Sequence, residues 1–126
     1  MDTAGPLHLI PSSAPEHPVP GEDAPPIVSR RTTYPNRHHV QPHWHARAQF
    51  IFAVEGTMTV RTPRRAWMVP PSRALWVPAR TVHEIQMSGV VAMHSLYVRN
   101  AEVLGMPPSC VVLEVTPLPR VLIVRA

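Results

Sequence analysis

QPHWHARAQFIFAVEG, residues 41–56, is the stretch on which the reading of this chain turns. His43 and His45 flank Trp44, Gln49 follows, and an apolar run leads to Gly56. Side chains on an extended strand alternate between faces, so residues of one parity line one side. His43, His45, Arg47, Gln49, Ile51 and Ala53 are all odd-numbered. Two imidazoles and a carboxamide would then stand above a run of core residues on the same face. Arg47 shares the parity, so either it points inward with them or a bulge rotates it out.

Outward from this stretch the chain reads as short strands bounded by turn residues. IVSRRTTY (27–34) is an edge strand stopped by Pro35. HWHARAQFIFAVEG is one strand, with Glu55-Gly56 as its turn into TMTVRT (57–62). AWMVP (66–70) and ALWVP (74–78) each end in proline. TVHEIQM (81–87) turns at Ser88-Gly89 into VVAMHSLYV (90–98), and CVVLEV (110–115) follows. VLIVRA (121–126) reads equally as a last strand or as the first turns of a helix. Short strands at spacings near ten residues, with no helical periodicity between them, indicate an all-β barrel or sandwich.

At 126 residues the chain is of single-domain size. Its 17 prolines against 5 glycines argue against long helices. Residues 1–29 hold seven prolines, four acidic residues and no basic one. They are expected to form a disordered acidic tail ahead of one domain spanning 30–126. The body carries twelve arginines against four glutamates. These arginines are scattered through strand segments instead of gathered on one face, which speaks against a dedicated nucleic-acid surface. The single cysteine, Cys110, excludes an intrachain disulfide and a multi-cysteine zinc site, and reads as a small buried hydrophobe. With no secretory start and no apolar run near the ~20 residues of a membrane span, a soluble cytoplasmic protein is expected.

In the second half, Thr81, His83, Ile85 and Met87 share a face. Two or three neutral imidazoles with an oxygen donor make a ligand set suited to Zn, Ni, Fe or Mn. A hydrogen-bonded structural role is the competing reading of each histidine. The tract HHVQPHWH (38–45) also reads as a flexible metal-scavenging segment, but Gln41-Pro42 breaks it, and His38 and His39 would point to opposite sides. Glu84 has the opposite parity to His83 and is expected to face away, which leaves histidines as the proton carriers near the site. Trp44, Trp67 and Trp76 read as packing between sheets or as walls of an apolar pocket. Trp44 would face opposite His43 and His45, and Arg73 reads as a solvated arginine in preference to an anchor for an acidic effector.

The spacing His43-x-His45-x3-Gln49-x6-Gly56 resembles the first motif of the cupin superfamily, with glutamine where glutamate is usual. Pro78-x-Arg80-x2-His83 resembles the second, with arginine in place of glycine and Met87 where asparagine is often found. HWHARAQFIFAVEGTMTVRT, WMVPPSRALWVPARTVHEIQM, LYVRN and PPSCVVLEVTPLPRVLI together look like the amino-terminal sensor domain of AraC-type transcriptional regulators, over roughly residues 38–124.

The resemblance implies a cupin-like double-stranded β-helix (jelly-roll) barrel that binds a small effector and often dimerises. It places His43, His45, Gln49 and His83 at metal-ligand positions, and Arg47, Trp76, Ile85 and Met87 become candidates for an effector pocket. A divalent transition metal (Zn, Ni, Fe or Mn) is one expected occupant, and a small molecule or the metal itself would be the effector. DNA would be bound through a helix-turn-helix domain absent from these residues, no membrane is involved, and no catalytic residue is expected. A small metal-dependent cupin oxygenase or isomerase, using the same four residues, is the alternative.

Overall fold

A computed structural model of the chain describes residues 10–18, 24–99 and 105–114. Its regular elements are all strands: β1 (Ile27–Tyr34), β2 (His39–His43), β3 (Ala48–Arg61), β4 (Ala66–Val69), β5 (Arg73–Val77), β6 (His83–Val98) and β7 (Val111–Glu114). Pro35, Pro70 and Pro78 follow directly on β1, β4 and β5, where a residue without an N–H ends the ladder. Pro42 lies inside β2, tolerated because β2 is an edge strand that pairs with β6 alone among the described strands.

Two long antiparallel strands organise the fold. β3 and β6 pair along their lengths, from Ala48 opposite Val98 to Arg61 opposite Glu84. The outer halves of this ribbon carry β1 on one side and β5 then β7 on the other, and its inner halves carry β2 and β4. The ribbon therefore contributes to two sheets at once, and the core fills the space between them. Ile51, Leu75, Val77, Val91 and Met93 from one sheet meet Met58, Val60, Val69, Ile85 and Met87 from the other, all 7% exposed or less. Burying each such side chain is worth roughly 1.5–3 kcal/mol. This is the jelly-roll barrel expected from the sequence.

Neither Glu55-Gly56 nor Ser88-Gly89 is a hairpin turn, as the sequence suggested. Both lie inside continuous strands, at the bend of the β3–β6 ribbon. The register slips between Ala53 and Glu55 and again between Glu55 and Thr57, and Gly56 and Gly89 have φ of 78° and 80°. A hairpin turn and a barrel corner both need positive φ, so the same glycine signal serves either. The bulge also exchanges parity along β3: Ile51 and Ala53 face inward before it, Met58 and Val60 after it.

Those residues of the proline-rich tail that are described run along the barrel. Ile10 is 5% exposed. Glu16 forms a parallel bridge with Trp44. The Trp44 N–H donates to Pro15 (3.2 Å) and the His17 N–H to Trp44 (2.6 Å), while the Trp44 indole N–H donates to the Ala14 carbonyl at 2.8 Å. Prolines do not prevent docking here, because the segment is bound through its carbonyls and one free N–H. Residues 1–9 and 19–23, Val115 and the ambiguous 121–126 lie outside the described residues. No helix among those described is long and apolar enough to cross a membrane.

Candidate functional site

The single strand expected over residues 43–54 is interrupted. β2 ends at His43, residues 44–47 form a bend, and β3 begins at Ala48. His43 pairs across the ladder with His83, the first residue of β6. His45 lies in the bend, where its carbonyl accepts the Arg80 N–H at 2.9 Å and so ties the bend to the loop that delivers His83. The three rings converge: centroids are 4.4 Å apart for His43–His83, 5.1 Å for His45–His83 and 5.7 Å for His43–His45. One nitrogen from each lies within 4.8 Å of the others.

Their protonation follows from their partners. Each Nδ1 faces a backbone carbonyl at 2.8 Å: Gln41 for His43, Arg47 for His45 and Thr81 for His83. A carbonyl only accepts, so each Nδ1 carries the hydrogen, and each neutral ring presents a bare Nε2. Burial pushes all three imidazoles below their ordinary value, with His83 at about 3. The Nε2 of His83 is buried and has no hydrogen-bond partner among the described residues. Converging lone pairs of this kind accept a cation or a hydrogen-bond donor. A metal bound at about 2.0–2.1 Å by imidazole nitrogen would draw the three rings slightly together.

Gln49 projects from the start of β3 and is 2% exposed. Its Oε1 lies 2.8 Å from His45 Nε2, and its Nε2 donates to Ser95 Oγ (2.8 Å) and towards the Tyr97 hydroxyl (3.4 Å). The amide is thus anchored from behind by β6 with its oxygen turned to the histidines. Ser95 and Tyr97 escaped the sequence reading, although their parity with His83 on β6 was a usable signal.

The four effector-pocket candidates do not form one pocket. Ile85 and Met87 belong to the packed barrel core beneath His83. Trp76 lies on the opposite face of β5, packed with Ala48 and Val98, its indole N–H donating to Pro107 at 3.1 Å. Alternation sends Leu75 and Val77 inward and Trp76 out. Arg47 falls in the bend, where parity no longer holds, and donates to the carbonyls of Pro25 (2.8 Å) and Pro26 (3.3 Å). Glu84 does face away, 3.2 Å from His39 and 3.6 Å from Arg61. His38 stacks on Tyr34, so the HHVQPHWH tract does not act as one cluster. Arg73 pairs with Glu114 at the surface.

One backbone position stands out. In the turn Pro78–Thr81, closed by the Thr81 N–H and the Pro78 carbonyl at 3.4 Å, Arg80 has φ of 64°. The third position of a type II turn takes such a φ, which glycine adopts freely and other L-residues at a cost of about 1 kcal/mol. This is the position where the cupin motif has glycine.

Two interlocked sheets around an apolar core, with three histidines and an amide at one end, define the cupin class of barrel. Comparison with known proteins agrees. Oxalate decarboxylase of Bacillus subtilis superposes with a TM-score of 0.52 at 15% identity, over 57% of this chain and 21% of that one. A cupin 2 domain-containing protein of Halorhodospira halophila gives 0.55 at 16%, over 63% and 57%. ToxT of Vibrio cholerae, solved with an unsaturated fatty acid bound, gives 0.59 at 6%, over 78% and 44%. At these identities the likeness is one of fold. The profile of the AraC-like ligand-binding domain family matches residues 25–121, and the HTH-type transcriptional regulator NimR of Escherichia coli (strain K12) is 35% identical over 81 residues. The chain belongs to the AraC-like ligand-binding domain family, the cupin-type sensing domains of AraC-type regulators. It matches NimR over 64% of its own length and 29% of that relative's.

Proposed function

We propose that this domain senses a small effector and that it holds a divalent transition-metal ion on His43, His45 and His83, with the Gln49 amide oxygen as a further donor. The observation that carries the metal is the set of three Nδ1–H to carbonyl bonds, which leaves three bare Nε2 atoms on rings whose ligand nitrogens lie within 4.8 Å of one another. All four donors are neutral, so the ion would keep its full charge in a largely buried site. Imidazole-rich neutral sets suit Zn, Ni and Fe(II), whereas Mn favours carboxylates.

The role is binding and not catalysis. Among the described residues no carboxylate lies with the three histidines, and Glu84, the buried acid of β6, is committed to His39 and Arg61 on the other face. Likeness to a regulator named for its helix-turn-helix supports transcriptional control through a DNA-binding domain outside these residues. A homodimer and a cytoplasmic location accompany that reading.

The test is a thermal melt of chelator-treated protein after addition of Ni²⁺ or Zn²⁺. At an ion concentration one hundred times Kd, stabilisation of about 2.7 kcal/mol is expected. It should vanish in the His43→Ala/His83→Ala double variant; equal stabilisation of both proteins would place the ion elsewhere.

A further inference from the structure

Beside the histidines lies a cavity of ≈260 Å³ lined by Ser12, Ser13, Ala14, Trp44, Arg80 and Val82. One wall is the docked amino-terminal segment and the other is the loop that precedes His83. Its chemistry is mixed in a specific way. Trp44, Val82 and Ala14 offer an apolar surface, and Ser12 and Ser13 offer hydroxyls. Arg80 supplies a cation, and none of the described lining residues carries a carboxylate. The indole of Trp44 is fixed by its bond to the Ala14 carbonyl, so this wall is formed before any ligand arrives.

Arg80 is the unusual member. It holds a positive φ where its turn favours glycine, and it is exposed. None of the described residues hydrogen-bonds or ion-pairs with its side chain. Non-glycine residues held at positive φ cluster at functional sites, and this one puts a cation on the cavity with no partner among the described residues. Its backbone N–H is bound to the His45 carbonyl at 2.9 Å, so a ligand on Arg80 would sit one residue's reach from the histidine cluster.

We propose that this cavity is the effector seat and that the effector is a small organic carboxylate. Its charged end meets the Arg80 guanidinium and the serine hydroxyls, and its apolar body lies on Trp44 and Val82. The volume falls below the roughly 300–1,000 Å³ of drug-sized sites, which limits the ligand to a single ring or a short chain. This deepens the sensing role proposed above and does not depend on the metal.

The probe is phenylacetate, with phenylacetamide as its uncharged counterpart, titrated into ¹⁵N-labelled full chain in the presence of chelator. The Trp44 indole N–H signal is assigned with Trp44→Phe. Phenylacetate is expected to shift Trp44 and leave Trp67 and Trp76 unmoved, and phenylacetamide to bind at least tenfold more weakly, as loss of a charge-assisted contact requires. Arg80→Gly suits the turn, so the fold is kept while affinity drops at least tenfold. No Trp44 shift at millimolar phenylacetate, equal binding of the amide, or unchanged affinity in Arg80→Gly would each overturn the proposal. Because chelator is present throughout, such a failure leaves the metal reading standing, and metal loading without anion binding separates the two.

Discussion

Gln49 Oε1 and His45 Nε2 lie 2.8 Å apart, and both are acceptors, since His45 carries its hydrogen on the Nδ1 that faces the Arg47 carbonyl. Two lone pairs at that distance repel unless a cation lies beside them. When none is bound, turning the amide over relieves the contact: its NH₂ then donates to His45 Nε2, and its oxygen accepts from the Ser95 and Tyr97 hydroxyls. Gln49 would thus match the proposed site with or without an ion, which a carboxylate at this position would not.

Restoring the charge should therefore strengthen metal binding at the expense of that adaptability. Gln49→Glu is expected to raise affinity for Zn²⁺ or Ni²⁺ by about tenfold or more, through added Coulomb attraction in a buried site. Competition against a chromophoric chelator measures it. An unchanged or lower affinity would remove Gln49 from the ligand set.

The two corner glycines should differ in their tolerance of a side chain. A Cβ on Gly56 would collide with the Val90 carbonyl oxygen and come within 2.7 Å of Val91 Cγ2, whereas one on Gly89 meets nothing within 4 Å. Both positions have positive φ, so alanine costs about 1 kcal/mol at either on backbone grounds. Gly56→Ala adds displacement of the β6 backbone and should lose several kcal/mol in total, of the order seen for severe core changes. Urea denaturation of the two variants tests the difference; equal losses would mean that the corner is not tightly packed.

Acid should weaken the chelator-treated protein. His83 has its folded pKa depressed to about 3 by burial, and His43 and His45 are depressed in the same sense. The unfolded chain takes up these protons near pH 6.5 while the folded chain refuses them. Stability from this source is complete above about pH 6.5 and declines as pH falls below it, by up to about 1.4 kcal/mol per pH unit for each histidine involved. Urea midpoints across pH 4–8 measure the slope, and His83→Asn should flatten it. A midpoint constant across that range would contradict the buried neutral cluster.

Cys110 should behave as packing and not as a reactive thiol. It lies against the barrel core, and burial pushes its pKa up to about 11. Thiolate is then scarce at pH 8, and labelling with a thiol reagent should be slow until denaturant is added. Rapid labelling of the folded protein would contradict this.

Much of the fold was legible because strand periodicity and proline stops are local signals. AWMVP and ALWVP became β4 and β5 nearly as read, and the histidines met because motif spacing encodes their convergence. What was not legible depended on partners distant in sequence. Gly56 and Gly89 look like hairpin glycines until β3 and β6 are seen to bend together. Parity placed Gln49 on the histidine side and left Arg47 open between two orientations; the bend at residues 44–47 turns it to the carbonyls of Pro25 and Pro26. Parity turns Trp44 away from His43 and His45, and that side is where the amino-terminal segment docks, a contact that proline content does not signal.

The most direct measurement is the metal content of the protein, purified without an affinity tag and assayed by elemental analysis beside the His43→Ala/His83→Ala double variant. One divalent transition-metal ion per chain in the native protein, and none in the variant, is the predicted result. A native protein free of metal, or a variant that retains it, would contradict the assignment of His43, His45 and His83 as a metal centre.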